Sequence, residues 1–334
     1  TLHCSSAASD VYKRQEPQVN GVVTTMTTVT KKLKEKKYNV EVLHPGHFHT
    51  FPLPNYPEIS VAWNFWDLKK KIQKIKPDFI HISVEGPLGI TARHFCLEHN
   101  LPYTSAIHTK FPEYIYERFG IGLDVTRGLL KWFHNSAAKT LVNTPSHQEE
   151  LTKDGFTNLV LWSRGFDEDI FYPDETKEKD GPLLYVGRVA IEKNIEEFLK
   201  MPSEQKKVVV GGGPMLNKFQ KKYPDVEFLG FKTGKELADI YRKASCFVFP
   251  SKTDTFGIVL IEALACGTPI AAFNVTGPRD VVHEGINGSL DSHDLSAAVD
   301  RALKVNTSGV IASSKTYTWD RVAEQFIDSL VPLK

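Results

Sequence analysis

The sequence predicts an α/β protein built from two doubly wound, Rossmann-like domains. Three observations carry this. Short runs rich in Val, Ile and Phe alternate with helical patterns, as parallel sheets buried on both faces require. A length of 334 residues is enough for two cores. One charged, Pro-containing, non-periodic segment, DEDIFYPDETKEKDG (Asp167–Gly181), reads as the linker between them.

Taken in order, the chain opens on TLHCSSAASDVYKRQ, which lacks both the apolar core of a signal peptide and the hydrophobic strand an α/β domain needs at this point. DVYKRQ (Asp10–Gln15) resembles the translation of a sequencing-library transposon end, so residues 1–15 read as a non-native segment standing where the first strand belongs. The rival reading is a genuine polar arm. Residues 16–170 form the first domain, with strand candidates at Tyr38–Pro45, Pro77–Ser83, Pro102–Thr109, Thr140–Pro145 and Asn158–Gly165. Residues 171–315 form the second, with candidates at Pro182–Val189, Lys206–Gly213, Val226–Phe231, Cys246–Ser251 and Thr268–Val275. Residues 316–334 carry a last amphipathic helix, Trp319–Val331, expected to pack back on the first domain. Two such domains facing each other leave a cleft, and ligands of these sheets lie beyond the carboxyl ends of the strands.

Composition excludes several classes. Net charge is +1, so no global field points to nucleic acid. KKLKEKK (Lys31–Lys37) and DLKKKIQKIK (Asp67–Lys76) cluster lysines on two predicted helices, read first as solvated faces and second as a weak contact for an anionic membrane surface. Cys4, Cys96, Cys246 and Cys266 are scattered without a CxxC pair, which fits buried thiols in a reducing cytoplasm. No apolar run reaches the length of a membrane span.

Chemistry-bearing residues follow the strands of the second half. Arg188 and Lys193 come just after Pro182–Val189, where a planar fork and a point charge suit a diphosphate; the bland alternative is a surface pair with Glu192. Gly211–Pro214 lets backbone approach a ligand, or merely turns into the next helix. It is no GxGxxG, so a nicotinamide reading has little support. Gly230–Lys232 offers main-chain groups to a nucleobase, while Thr233 and Glu236 match a capping box. In TDTFGIVLIEALACGTPIAA (Thr253–Ala272) a helix is expected from Thr255–Gly257, with the amides of Gly257, Ile258 and Val259 open to an anion. Glu262 lies one turn along in apolar surroundings and needs donors, which a ribose diol supplies. Asp254 stands in the turn ahead, beside whatever the helix terminus holds.

The block from Asp254 to Glu262 resembles the E-x7-E signature of family-four retaining glycosyltransferases of the GT-B fold. Gly187-Arg188 with Lys193, Gly211–Pro214 and the Leu229–Phe231 loop follow that family's order, and Glu16–Val23 resembles its N-domain glycine loop. HISVEGPLG (His81–Gly89) and SAIHTKFPEY (Ser105–Tyr114) resemble the subgroup that adds mannose, glucose or sulfoquinovose to lipids. The likeness runs from Glu16 to Lys334. It implies donor binding by Gly21, Arg188, Lys193, Gly212, Gly230, Phe231, Phe256, Gly257, Ile258, Val259 and Glu262. It implies catalytic roles for His108, at the reacting centre, and Asp254, on the sugar hydroxyls, with Glu85 on the acceptor side. Asp254 departs from the broad family's Glu and reaches one methylene less far.

The resemblance further implies a nucleotide-diphosphate sugar, UDP- or GDP-linked, as substrate. It implies a lipid acceptor at the cytoplasmic face of the membrane, and no required cofactor or metal. The carboxylates of Asp167–Asp169 mimic a metal-binding DxD but lie in the linker. Rival readings are a transferase acting on soluble or polysaccharide acceptors, a hydrolysing or phosphorolytic enzyme of this fold, and a nucleotide-sugar binding protein without turnover. For His108 the rival is a core histidine at a strand end, and for Glu85 a cap on the following helix.

Overall fold

A computed structural model describes residues 2–5, 21–53, 56–108, 122–174 and 180–333. They divide into two compact units, Thr1–Ser163 with Trp319–Lys334, and Arg164–Thr318.

The first unit is a parallel sheet in the order β2-β1-β5-β6-β7-β8. Its strands are β1 (Leu2–Ser5), β2 (Val40–Leu43), β5 (Phe79–Ile82), β6 (Thr104–Ile107), β7 (Lys139–Val142) and β8 (Leu159–Leu161). A separate antiparallel hairpin joins β3 (Thr50–Leu53) to β4 (Tyr56–Ala62). The composition gave no sign of β1, yet Leu2–Ser5 pairs with β2 on one side and β5 on the other. A ladder is made by main chain, so four extended residues complete it whatever their side chains. The other residues of the 1–15 segment lie outside those described. The hairpin was also illegible, because Pro52 and Pro57 argue against a strand; a two-stranded ribbon consists only of edges, where a missing N–H is tolerated.

Helices α1 (Gly21–Glu35), α2 (Asp67–Ile75), α3 (Pro87–Glu98), α4 (Leu123–His134) and α5 (Pro145–Lys153) cover this sheet. Leu68, Ile72, Leu88, Ala92 and Phe95 of α2 and α3 form one apolar layer with Ile80 and Ile82 of β5.

The second unit repeats the plan with the order β11-β10-β9-β12-β13-β14, all parallel. Its strands are β9 (Leu183–Val186), β10 (Lys207–Val210), β11 (Glu227–Phe228), β12 (Cys246–Phe249), β13 (Ile270–Phe273) and β14 (Gly288–Asp291). Its helices are α6 (Ile195–Lys200), α7 (Leu216–Lys222), α8 (Gly234–Lys243), α9 (Ile258–Ala265), α10 (Pro278–Val281), α11 (Leu295–Ala302) and α12 (Thr307–Ser314). Leu183, Leu184, Phe247 and Val248 are fully buried, each side chain contributing about 1.5–3 kcal/mol. The last helix, α13 (Trp319–Ser329), belongs to the first unit, where Val322 and Phe326 meet Val29 and Leu33 of α1 and the ring of Trp162.

The linker reading needs correction. Phe166 and Phe171 are core residues of the second unit, and the Arg242 guanidinium donates to the carbonyls of Ile170 and Tyr172. Asp167 accepts from the Asp169 amide in a local turn. The units part at Ser163/Arg164, ahead of the charged run, because two aromatic side chains anchor that run. Residues 175–179 lie outside those described.

Both sheets reverse winding direction once, between β1 and β5 and between β9 and β12. Those switch points are where such sheets hold ligands.

Candidate functional site

At the second unit's switch point, two loops are stitched together. After β9 the chain makes a tight turn at Ile191–Lys193, and Asn194 takes a left-handed conformation with φ 52°. The Asn194 side-chain amide donates to the Pro250 carbonyl at 3.0 Å, and the Thr253 hydroxyl donates to the Glu192 carbonyl at 3.2 Å. Between these bonds Lys193 Nζ lies 2.5 Å from Asp254 Oδ1, both side chains largely buried. The two residues expected to serve diphosphate and sugar thus hold each other. Only one acid oxygen is satisfied: Asp254 Oδ2 is buried without a hydrogen-bond partner among the described residues, as is Ser251 Oγ. Buried orphans of this kind cost about 1–3 kcal/mol each and mark places that want a polar ligand.

Arg188 forms the surface pair with Glu192, at 3.6 Å, and is half exposed. Such a pair contributes at most about 1 kcal/mol, so it does not compete seriously with a phosphate. Tyr185 supports this loop by donating to the Arg188 carbonyl at 2.8 Å.

Helix α9 starts at Ile258, just after the Thr255–Gly257 stretch where the sequence suggested it, because Gly257 turns left-handed with φ 83°. A Cβ there would lie 3.1 Å from the Phe249 ring. Helix geometry leaves the first amides of α9 without intrahelical carbonyls, and Ile258 and Val259 are only partly buried. The Phe256 ring is buried edge-on to Tyr317 at 5.9 Å, which leaves the main chain of this residue for a donor role. Gly277 was missed. It approaches the Asp254 turn so closely that a Cβ would sit 2.5 Å from the Asp254 carbonyl oxygen.

Glu262 has one weak donor. The Tyr241 hydroxyl lies 3.3 Å from both Glu262 Oε2 and the Val259 carbonyl, so its single proton is shared. Burial pushes the Glu262 carboxyl up to about 7, against that hydrogen bond. Burial and the Glu262 charge hold the Tyr241 hydroxyl well above its ordinary range, so it stays a donor. A carboxylate this short of donors suits a diol.

The glycines divide by role. A Cβ on Gly211 or Gly213 would strike the carbonyls of Gly187 or Val189, so these two serve close packing of loops. Gly212 and Gly230 have nothing within 4 Å of that position, which leaves room for a ligand. Phe231 is half exposed beside Gly230. The capping box is absent. Thr233 holds the cap position without a side-chain bond, because Gly234 turns left-handed at φ 56° and Glu236 leans to Lys232 at 3.6 Å.

In the first unit, Gly21 is the first residue of α1, and the rest of its glycine loop, residues 16–20, lies outside those described. His108 directly follows β6, partly buried, with its ring 6.0 Å from that of Trp162. Glu85 follows β5 but does not cap α3, whose cap residue is Gly86 with no side-chain bond. It meets the buried His134, Nε2 to Oε1 at 3.0 Å, a partner no sequence pattern announced. Residues 109–114 of the SAIHTKFPEY motif lie outside those described. Among the described residues no group of three or more His, Cys, Asp or Glu is arranged to hold a metal ion.

Comparison with known proteins follows the same division. Residues 19–170 match the family described as Glycosyltransferase Family 4, and residues 167–313 match Glycosyl transferases group 1. A GDP-mannose-dependent alpha-mannosyltransferase of Corynebacterium glutamicum is 27% identical over 82% of this chain and 74% of its own. An alpha-monoglucosyldiacylglycerol synthase of Streptococcus pneumoniae is 24% identical over 86% of this chain and 76% of its own. Among solved structures, a sucrose-phosphate synthase from Thermosynechococcus elongatus shares the fold with a TM-score of 0.77, at 19% identity, over 98% of this chain and 97% of its own.

Proposed function

The chain belongs to glycosyltransferase family 4 and uses a nucleotide-sugar donor, and from that premise we propose that it moves a hexose from a UDP- or GDP-linked donor to a hydroxyl of a diacylglycerol-type lipid or glycolipid, retaining the anomeric configuration. The observation that carries this is a pair of carboxylates eight residues apart, Asp254 and Glu262, each short of hydrogen-bond donors, flanking the amides of α9 at a topological switch point.

Sugar and ribose hydroxyls are the donors these acids lack. The diphosphate lies against the N-terminus of α9, where the helix dipole and amides favour negative charge. On binding, Lys193 exchanges Asp254 for the diphosphate, Arg188 gives up Glu192, and both neutralise the charge that builds on the leaving group. Asp254 turns its oxygens to the sugar, Glu262 accepts from the ribose diol, and Gly212 and Gly230 leave space for the nucleotide. The leaving phosphate takes the acceptor's proton on the face it departs from. The protein's work is then placement of charge and reactants. For His108 and Gly21 the family resemblance alone supports roles toward sugar and phosphate.

A lipid acceptor is supported by the relatives' names and by one surface. Trp63, Phe65 and Trp66 are exposed by 53%, 38% and 50% and pack edge to face, with centroids 5.5 Å and 5.4 Å apart. Lys70 and Lys74 stand exposed on α2, the helix that follows these rings in the chain. Aromatic rings next to lysines match the interface of an anionic membrane. No helix among the described residues is long and apolar enough to cross a membrane. The reading is tested by following nucleotide release from UDP- and GDP-hexoses with and without dispersed diacylglycerol. Acceptor-dependent release supports it. Release indifferent to acceptor makes the protein a hydrolase, and binding without release makes it a nucleotide-sugar binding protein.

A further inference from the structure

The two sheets have the same winding, and the same place in each carries an acid. In the second unit the loop after β12, across the switch point from β9, holds Asp254; in the first the loop after β5, across from β1, holds Glu85. The crevice a doubly wound sheet offers to a ligand opens at that point.

Glu85 has none of the ordinary employments of a strand-end acid. It does not cap α3. Its hydrogen-bond partner among the described residues is not a surface Lys or Arg but His134, at the end of α4, with a side chain fully buried. That imidazole is held at both nitrogens: Nδ1 lies 2.8 Å from Ser105 Oγ, which lies 3.0 Å from Thr140 Oγ1. Phe133 packs on the ring with centroids 4.9 Å apart. A carboxylate only accepts, so His134 Nε2 carries the proton it donates to Oε1. A ring fixed this way cannot turn, and it fixes the acid in turn. Glu85 Oε2 has no hydrogen-bond partner among the described residues, and the side chain keeps 19% of its surface exposed. Burying an imidazole and two hydroxyls to hold a partly exposed carboxylate still is a device of the kind that orients ligand-binding groups.

We infer that Glu85 binds a hydroxyl of the acceptor through Oε2, and that His134 is the residue that positions it. This rests on the glycosyl-transfer reading above and on the acceptor-side place the family resemblance implies for Glu85; the positioning by His134 is what the structure adds.

The test is Glu85→Gln, whose side-chain oxygen still accepts from His134 while a donor replaces Oε2. The acceptor KM is expected to rise about tenfold or more, with affinity for the nucleotide sugar, measured by calorimetry, unchanged. His134→Leu should raise the acceptor KM in the same way, and His134→Gln, whose amide can donate to the same oxygen, should restore most of it. A purely structural pair would instead lower the melting temperature and leave KM alone. An unchanged acceptor KM in Glu85→Gln, or an equal loss of donor affinity, overturns the inference while leaving the transfer reading intact. Wild-type protein that transfers to no hydroxyl acceptor overturns both.

Discussion

Replacing Glu262 by Gln should stabilise the ligand-free protein and weaken donor binding at once. Burial raises this carboxyl from 4.5 to about 7. Ionising it in the folded protein above pH 7 therefore costs about 3 kcal/mol relative to the unfolded chain. The sign follows directly: the penalty is absent below pH 4.5, grows as pH rises through 7, and is constant above. A glutamine amide escapes the charge penalty but still needs partners, and the side chain is not wholly shielded, so a net gain of about 1–2 kcal/mol is expected. For a domain of this size that is about 3–6 °C in melting temperature. The variant should therefore melt higher than wild type at pH 8 and level with it at pH 4. Donor affinity should move the other way. Charge-assisted bonds from a diol contribute about 1.5–3 kcal/mol each, part of which a neutral amide retains, so a loss of about 10–100-fold is expected by calorimetry with an intact nucleotide sugar, which has no phosphate titrating near neutrality. A variant that melts lower at pH 8, or binds donor within about threefold of wild type, would refute the reasoning.

Further outcomes follow from the same geometry. Lys193→Ala should weaken nucleotide-sugar binding by about 10–100-fold and make what binding remains less sensitive to salt, measured by titration at two ionic strengths. His81 is fully buried against Phe326, and burial lowers its imidazole from 6.5 to about 3. It stays neutral when folded, so stability should fall below pH 6.5 by up to about 1.4 kcal/mol per pH unit, and His81→Phe should flatten that limb in denaturant melts. Sedimentation with vesicles of anionic lipid should pull down the wild type, and Trp63→Ala with Trp66→Ala should lower the bound fraction several-fold while donor affinity stays constant.

What the sequence made legible is what repeats locally. Period and composition announced most strands of both sheets, and the pattern around Asp254, Gly257 and Glu262 announced a helix with one acid in the turn ahead of it and one a turn along. What stayed hidden depends on contacts between distant segments. Tyr241 meets Glu262 from another helix, Lys193 meets Asp254 across 61 residues, and His134 meets Glu85 across 49. No window of sequence contains both partners. The inward turn of the Phe256 ring to Tyr317 was hidden for the same reason, since Tyr317 lies far along the chain. The capping box failed because Gly234 bends the backbone away from the geometry that Thr233 and Glu236 would need. β1 was hidden for the opposite reason: its place is secured by main chain, which composition does not report.

The central claim is transfer of a hexose to a lipid hydroxyl at this site, and its most direct test is the anomeric proton of the product. Incubation with α-linked UDP- and GDP-hexoses and dispersed diacylglycerol, followed by proton NMR of the extracted lipid, should show a single new α-glycoside, formed in step with nucleotide release. A β-glycoside would contradict retention, and an unmodified lipid with either donor would contradict the assignment itself.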